Sequence, residues 1–221
     1  WQLAKESGSY AFTADVTQAT IPLATVANVG RTSHEQRYYL EGESSLPDSR
    51  LRLTMRGDIA GLPPEGIEVF MENGETRTRS GDGPWEEAAS FTPVFLPDGD
   101  FMAFLIAATN IELAGTESRL GIDFDRYTFD IDGAQFARYL RDQTQAQMAA
   151  SGELPPGIEL GLSPVYRDML GRGELWVDGD GYPLRQILDL QFPDDGDTRT
   201  EAAVVVDFSG YGQAAPVLGQ G

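Results

Sequence analysis

The sequence predicts an α+β protein built on one mostly antiparallel β-sheet of about ten strands. This sheet either curves strongly into a half-barrel, with two or three helices on its concave side, or folds over itself. Most of the chain alternates apolar and polar residues with a period of two, which is typical of strands with one buried face. Strand-like segments follow one another without the regular intervening helices of a parallel sheet. Only two segments have a helical pattern, too few to cover a flat sheet of this width.

The first half of the chain predicts about six strands before residue 90. Residues 8–20 alternate clearly, a polar strand runs through Leu40 to Gly42, and residues 50–56 and 67–71 alternate again. Asn73-Gly74 is a strong hairpin-turn signal that leads into a strand at 76–79. The side chains expected to face inward are Tyr10, Phe12, Ala14, Val16, Leu51, Leu53, Met55, Ile67, Val69 and Met71.

Two helices are predicted in the middle of the chain. Asp98-Gly99-Asp100 supplies a helix start, and residues 101–108 are apolar nearly all round, which indicates a short buried helix. Asp132-Gly133 begins a longer amphipathic helix over 134–151, which Gly152 ends.

The second half predicts strands at 111–113, 122–131 and 202–208 and a hairpin at 173–190. The hairpin turns at Asp178-Gly179-Asp180-Gly181, and its second strand directs Leu184, Gln186, Leu188 and Leu190 to one side. We expect a single domain over 1–209, because no linker divides it, and a flexible glycine-rich tail over 210–221.

The apolar side of the predicted sheet needs cover. Ten strands make a sheet roughly 45 Å wide, whereas the two helices span roughly 16 and 27 Å. The sheet therefore either folds over itself as a sandwich or curls into an incomplete barrel with the helices along its concave side. The second arrangement is compatible with an apolar cavity as well as with a filled core, and the pattern leaves both open.

Composition excludes several functions. The formal net charge of −19 opposes binding to nucleic acid. Without cysteine the chain has no thiolate ligand or cysteine nucleophile, and the single histidine, His34, lies in a polar strand without a Gly-x-Ser-x-Gly motif. The acidic turns lack the glycine and glutamate of a calcium loop at positions 6 and 12. We therefore expect no enzyme, no metal and no cofactor.

The order of these features resembles the bacterial lipoprotein carriers and lipid-binding lipoproteins, the LolA-like and LppX/LprG-like proteins. The resemblance covers residues 7–209 and rests on the strand 9–14, the turn 81–85, the apolar helix near Phe101, the hairpin 175–185 and the closing strand 204–209. It implies a half-barrel with helices in its mouth, an extracytoplasmic location in the cell envelope, binding of acyl chains, and a membrane link only through an N-terminal lipidated cysteine, which we expect to have been removed. The helix at 134–151 departs from that pattern.

We predict a non-enzymatic cell-envelope protein that holds a lipid or another apolar molecule in a cavity between sheet and helices, with an envelope protein as a further partner. The alternative is an extracytoplasmic protein-interaction or sensory domain with a filled core. The candidate ligand-binding residues are apolar or aromatic and lie on the two helices: Phe101, Phe104, Leu105, Phe136, Tyr139, Leu140 and Met148.

Overall fold

The computed structural model describes residues 2–45, 50–57, 63–72, 75–88, 93–155 and 157–213. These residues form one antiparallel sheet, curved and not closed, with short helical segments on one side. Its strands are β1 (Ser9–Pro22), β2 (His34–Ser45), β3 (Arg50–Gly57), β4 (Ile67–Glu72), β5 (Glu75–Ser80), β6 (Glu86–Glu87), β7 (Ala108–Arg119), β8 (Ile122–Asp132), β9 (Leu170–Asp178), β10 (Pro183–Gln191) and β11 (Thr198–Ser209). The α-helices are α1 (Gln2–Glu6), α2 (Gly133–Ser151) and α3 (Pro164–Arg167), and 3₁₀ turns occur at Val26–Asn28, Pro97–Gly99 and Phe101–Ala107.

The strand order places the two ends of the chain at the centre of the sheet. It runs β6-β5-β4-β3-β2-β1-β11-β10-β9-β8-β7, so each strand pairs with its neighbour in sequence except where β1 pairs with β11. Consecutive strands β6 and β7 therefore lie at opposite edges. The chain that joins them has to pass across a face of the sheet, and its described part, residues 93–107, is called the plug here.

The core lies on the concave face, as the alternation predicted. Tyr10, Phe12, Ala14 and Val16 of β1 are buried, and Val204, Val206 and Phe208 continue the same surface on β11. The outer face carries cross-strand ion pairs instead, such as Arg50 with Glu72. The predicted α+β half-barrel is confirmed.

Two inward-facing glycines of the sheet are in close contact with their neighbours. A Cβ atom on Gly173 would lie 2.4 Å from Cζ of Phe129, whose ring packs across the empty glycine position. The space beside Gly42 is smaller still. A Cβ atom there would lie 2.2 Å from the backbone oxygen of Arg52 and 2.8 Å from Cα of Leu53. Glycine in a strand interior is typical of tight bends and close backbone approach.

Three predicted elements differ in detail. The apolar segment at 101–107 is a 3₁₀ helix, and its N-cap is Asp100, the last residue of the predicted start signal. Helix α2 begins at Gly133, one residue before the prediction. In β10 the register shifts between Pro183 and Arg185, so Pro183 is buried and Leu184 is only half-buried.

Parts of the predicted pattern fall outside the described residues, namely Asn73, Gly74 and residues 214–221 of the tail. The described beginning of that tail is packed, since the hydroxyl of Tyr211 donates to the carbonyl of Pro183 at 2.7 Å. The division into one domain and a flexible tail stays a prediction.

We predict that Gly42→Ala lowers the free energy of unfolding by about 1–3 kcal/mol, because β3 has to shift to admit the methyl group. Urea denaturation of the two proteins measures this difference. Gly179→Ala is the matched control: a Cβ atom there meets nothing within 4 Å, so its effect should stay within about 0.5 kcal/mol. Equal effects of the two substitutions would contradict the proposed role of Gly42.

Candidate functional site

The candidate site is the space between the concave face and α2, and the plug fills it. Phe101 and Phe104 have no exposed surface. The ring of Phe101 meets Phe12 of the sheet edge-on at 5.1 Å, and Phe104 stacks on Phe136 of α2 at 4.6 Å. The plug is therefore the middle layer of a three-layer core made by sheet, plug and helix.

Local sequence explains the form of the plug. Pro97 begins one 3₁₀ turn, Gly99 has φ +74°, and the carboxylate of Asp100 accepts the backbone N–H of Met102 at 2.8 Å as an N-cap. The backbone bonds described between its turns are local: Leu96 N–H donates to Pro93 and Ala103 N–H to Asp100. The plug covers the sheet through side chains without joining it as a strand.

Among the hydrogen bonds of the described residues, four from side chains fasten the plug to the surrounding layers. Two come from the sheet: Tyr10 donates to Asp100 at 2.7 Å and Gln186 Nε2 donates to the carbonyl of Phe101 at 2.7 Å. Two come from the helical side: Gln135 Nε2 donates to the carbonyl of Ile106 at 2.8 Å, and Tyr166 donates to that of Val94 at 3.3 Å. Each such bond adds about 0.5–1.5 kcal/mol, more where one partner is charged.

The Tyr10 hydroxyl is the most perturbed titratable group of the site. Tyr10 is buried, and this burial raises the pKa of its phenol well above the usual value, with the negative charge of Asp100 adding to the effect. The phenol consequently stays protonated and donates to Asp100, which in turn caps the 3₁₀ helix. One contact thus couples β1 to the plug.

Gln186 is an unusual residue at the centre of the concave face. It is fully buried in a cross-strand row between Leu175 of β9 and Val206 of β11. Its Nε2 is used by the carbonyl of Phe101, whereas its Oε1 has no hydrogen-bond partner among the described residues. A buried amide oxygen without a partner costs free energy, so its presence in an apolar row needs an explanation.

Helix α2 covers the plug with its first two turns only. Asp132 caps it by accepting the N–H of Gln135 at 2.9 Å, and Gly133 allows the helix to start against the backbone of residues 166–169. Phe136 and Ala137 are buried, whereas the later turns have half-buried and exposed side chains.

The predicted ligand-binding residues do not form one surface. Phe101, Phe104 and Phe136 meet in the closed core, and Leu105, Tyr139 and Leu140 are partly buried at its margin. Met148 lies roughly 18 Å along the axis of α2 from Phe136, three turns farther on, and does not belong to the core of the described residues. Their role in binding stays a prediction.

Two clefts border this set. One of about 140 Å³ opens between Tyr139 and the strand ends around Leu51 and Met71. The other, of about 240 Å³, lies between α2 and residues 160–166, with Leu140 in its wall. Larger open troughs of about 670 and 430 Å³ lie along β7–β11, away from the plug, and are lined by charged and apolar side chains together.

Sequence reasoning missed the polar contacts that hold the plug. Tyr10 and Asp100 are separated by 90 positions, and neither has a local signal for the other. Gln186 did have a signal, since it occupies an inward position in a strand whose other inward residues are leucines.

Comparison with solved structures finds proteins of low sequence identity that align over nearly the whole chain. The lipoprotein LppX of Mycobacterium tuberculosis aligns with 98% of this chain and 93% of its own, with 15% identity and a TM-score of 0.44. LprF from Mycobacterium bovis aligns with 97% and 91%, with 13% identity and a TM-score of 0.43. A DUF1329 family protein from Desulfovibrio piger aligns with 97% of this chain and 92% of its own, with 11% identity and a TM-score of 0.29.

No protein-family model and no curated protein matches the chain. The structural comparison thus returns LppX, a lipoprotein of the group that the sequence resembles. Among the described residues, no helix has the length and apolar character needed to cross a membrane.

We predict that stability falls above pH 10 through Tyr10. The unfolded chain ionises this phenol near pH 10, whereas the folded chain keeps it protonated, so the stabilisation is complete below pH 10 and is lost as the pH rises further. The free energy of unfolding should fall by about 1.4 kcal/mol per pH unit for this group alone. Urea denaturation between pH 8 and 11 measures the slope.

Tyr10→Phe should be less stable at neutral pH, because it loses the bond to Asp100, and its slope above pH 10 should be shallower by about 1.4 kcal/mol per pH unit. Burial also raises the pKa of Tyr38 and Tyr211, so part of the slope remains in the variant. Parallel slopes in the two proteins would contradict the assignment.

Proposed function

We propose that this chain is a non-enzymatic protein of the cell envelope that takes up the acyl chain of a lipid on its concave face by exchanging the plug for the ligand. The observation that supports the proposal most is the way the plug is held. It covers the apolar face by side-chain packing, and its described backbone hydrogen bonds are local. It can therefore leave the sheet without breaking a strand ladder.

The energetics are consistent with an exchange. Five large apolar side chains of the plug are buried: Phe95, Leu96, Phe101, Met102 and Phe104. Exposing them to water costs roughly 7–15 kcal/mol at about 1.5–3 kcal/mol each, which is comparable to the whole stability of a domain. An acyl chain of about 16 carbons recovers roughly 13 kcal/mol when it is buried, at about 0.8 kcal/mol per CH₂. Without a ligand the plug therefore stays on the sheet. An acyl chain that is buried in its place offsets the cost of exposing it.

The two clefts suit the entry of such a chain. The cleft beside Tyr139 reaches Asp100 and Ala103 of the plug, and the cleft beside Leu140 reaches Pro97. Both clefts therefore touch the segment that has to move. In this proposal Tyr139 and Leu140 make the first contacts with the ligand, and the phenylalanines of the closed core make the later ones.

A second candidate function is supported by the same closed core. Phe101, Phe104 and Phe136 have no exposed surface, as in a protein whose interior is permanently filled and whose partner is another envelope protein. The two functions differ in one respect, which is whether the plug moves.

A disulfide lock distinguishes them. An ideal Cβ atom on Gly99 of the plug lies 3.4 Å from Cβ of Leu51 in β3, just below the usual disulfide range of about 3.5–4.5 Å. The φ of +74° at Gly99 strains a cysteine there, equally in the single and the double variant. The natural chain has no cysteine, so a Leu51→Cys/Gly99→Cys double variant forms this bond without competing pairs. The two single variants are matched controls, since they carry each side-chain change without the bond.

We predict that the oxidised double variant binds a dansyl-labelled undecanoic acid at least tenfold more weakly than the same protein after reduction, because the bond keeps the plug on the sheet. Fluorescence titration measures both states. The single variants should show no effect of reductant. Equal binding in the two states would show that the plug need not move.

Wild-type protein should also release lipid on organic extraction, as detected by mass spectrometry of the extract and of the native protein. A wild-type protein that carries no lipid and binds no dansyl probe would reject the proposed function and favour the permanently filled core.

A further inference from the structure

We propose that Gln186 is the specificity-determining residue of the concave face, which selects acyl ligands carrying a neutral ester or amide group with a nearby hydroxyl or N–H. This inference rests on the proposed function, since it requires that the plug be exchanged for a ligand. The observation behind it is the polar group of Gln186, fully buried at the centre of an apolar row, with Oε1 left without a partner among the described residues.

Gln186 lies in the middle of the sheet, where it contacts the plug. It lies on β10, two strands from β1 in the middle of the sheet, and its neighbours in the row are Leu175 and Val206. Its amide reaches the carbonyl of Phe101 at 2.7 Å, which is the point where the 3₁₀ helix of the plug begins. A ligand that replaces the plug therefore meets this amide.

The assignment of the two amide atoms follows from the plug. A carbonyl oxygen accepts only from a donor, so Nε2 is the atom that faces Phe101, and Oε1 is the atom without a partner among the described residues. Departure of the plug frees Nε2 and leaves both atoms available, one as a donor and one as an acceptor. An ester or amide carbonyl would accept from Nε2, and a hydroxyl or N–H would donate to Oε1.

A charged headgroup does not suit this position. The buried polar side chains of the described residues are Asn28, Ser44, Thr76 and Gln186, and none of them carries a charge. A carboxylate or phosphate at Gln186 would lose its hydration without gaining a cation. The chemistry of the site therefore selects a neutral polar group inside the half-barrel and leaves any charged group at the mouth.

The test compares two probes of similar chain length, 1-monooleoylglycerol and 1-octadecene, delivered from cyclodextrin and measured by displacement of dansyl-undecanoic acid. Wild-type protein should bind the monoacylglycerol about tenfold more tightly, the factor expected for one buried hydrogen bond. Gln186→Leu and Gln186→Met should both lose this preference. Neither should bind octadecene more weakly than the wild type, because both remove a bond that holds the plug. The methionine variant keeps the length of the side chain and serves if the leucine variant does not fold.

The possible results distinguish a failure of the role of Gln186 from a failure of the proposed lipid-binding function. A wild-type protein that binds neither probe rejects the proposed function. A wild-type protein that binds both probes, with a preference that the two variants keep, overturns only the role of Gln186.

Discussion

The central constraint on this molecule is that the apolar concave face of an unclosed sheet has to be shielded from water. The strand order decides what shields it. Because β6 and β7 are consecutive in sequence but lie at opposite edges, the segment between them passes across the sheet. The plug is therefore both a connection and a cover, and α2 adds a second layer over it. The interior is built from the chain that would otherwise be an ordinary loop.

The contacts of the plug show how strongly it is held and by what. Aromatic rings link the layers in series, from Phe12 through Phe101 on one side and from Phe104 through Phe136 to Tyr166 on the other. The many van der Waals contacts of these rings add up to a strong interaction that does not depend on direction. The directional contacts of the plug are a small number of side-chain hydrogen bonds. An apolar ligand can replace the first kind of contact, and only a ligand with a suitable polar group can replace the second. The plug therefore contributes to the core of the fold and is also the segment that moves in the proposed function.

Particular residues show why much of the fold was predictable. The alternation in β1 and β3 identified their buried residues, because a strand side chain has only two directions and one of them meets the core. The helix cap at Asp132 was also readable, since capping depends on neighbours three residues apart. The continuous apolar run at 101–107 indicated burial correctly but did not distinguish a 3₁₀ helix from an α-helix, because a segment buried on all sides has no periodicity to measure.

The candidate site was less predictable for a related reason. The spacing from Phe136 to Met148 suggested one helical face, yet α2 covers the plug with its first turns only, so residues on one face meet different surroundings. The register shift at Leu184 and the pairing of Tyr10 with Asp100 likewise depend on partners far along the chain. Local pattern carries no information about such partners.

The amino-acid sequence alone determined the class of the fold, the inward residues of most strands and the two helical segments, because each of these depends on neighbouring residues. Only the tertiary structure decided that the concave face is filled by the chain itself and that Gln186 lies buried at its centre. The physical reason is that the cover comes from a connection whose path is set by strand order, and strand order follows from the packing of the whole sheet.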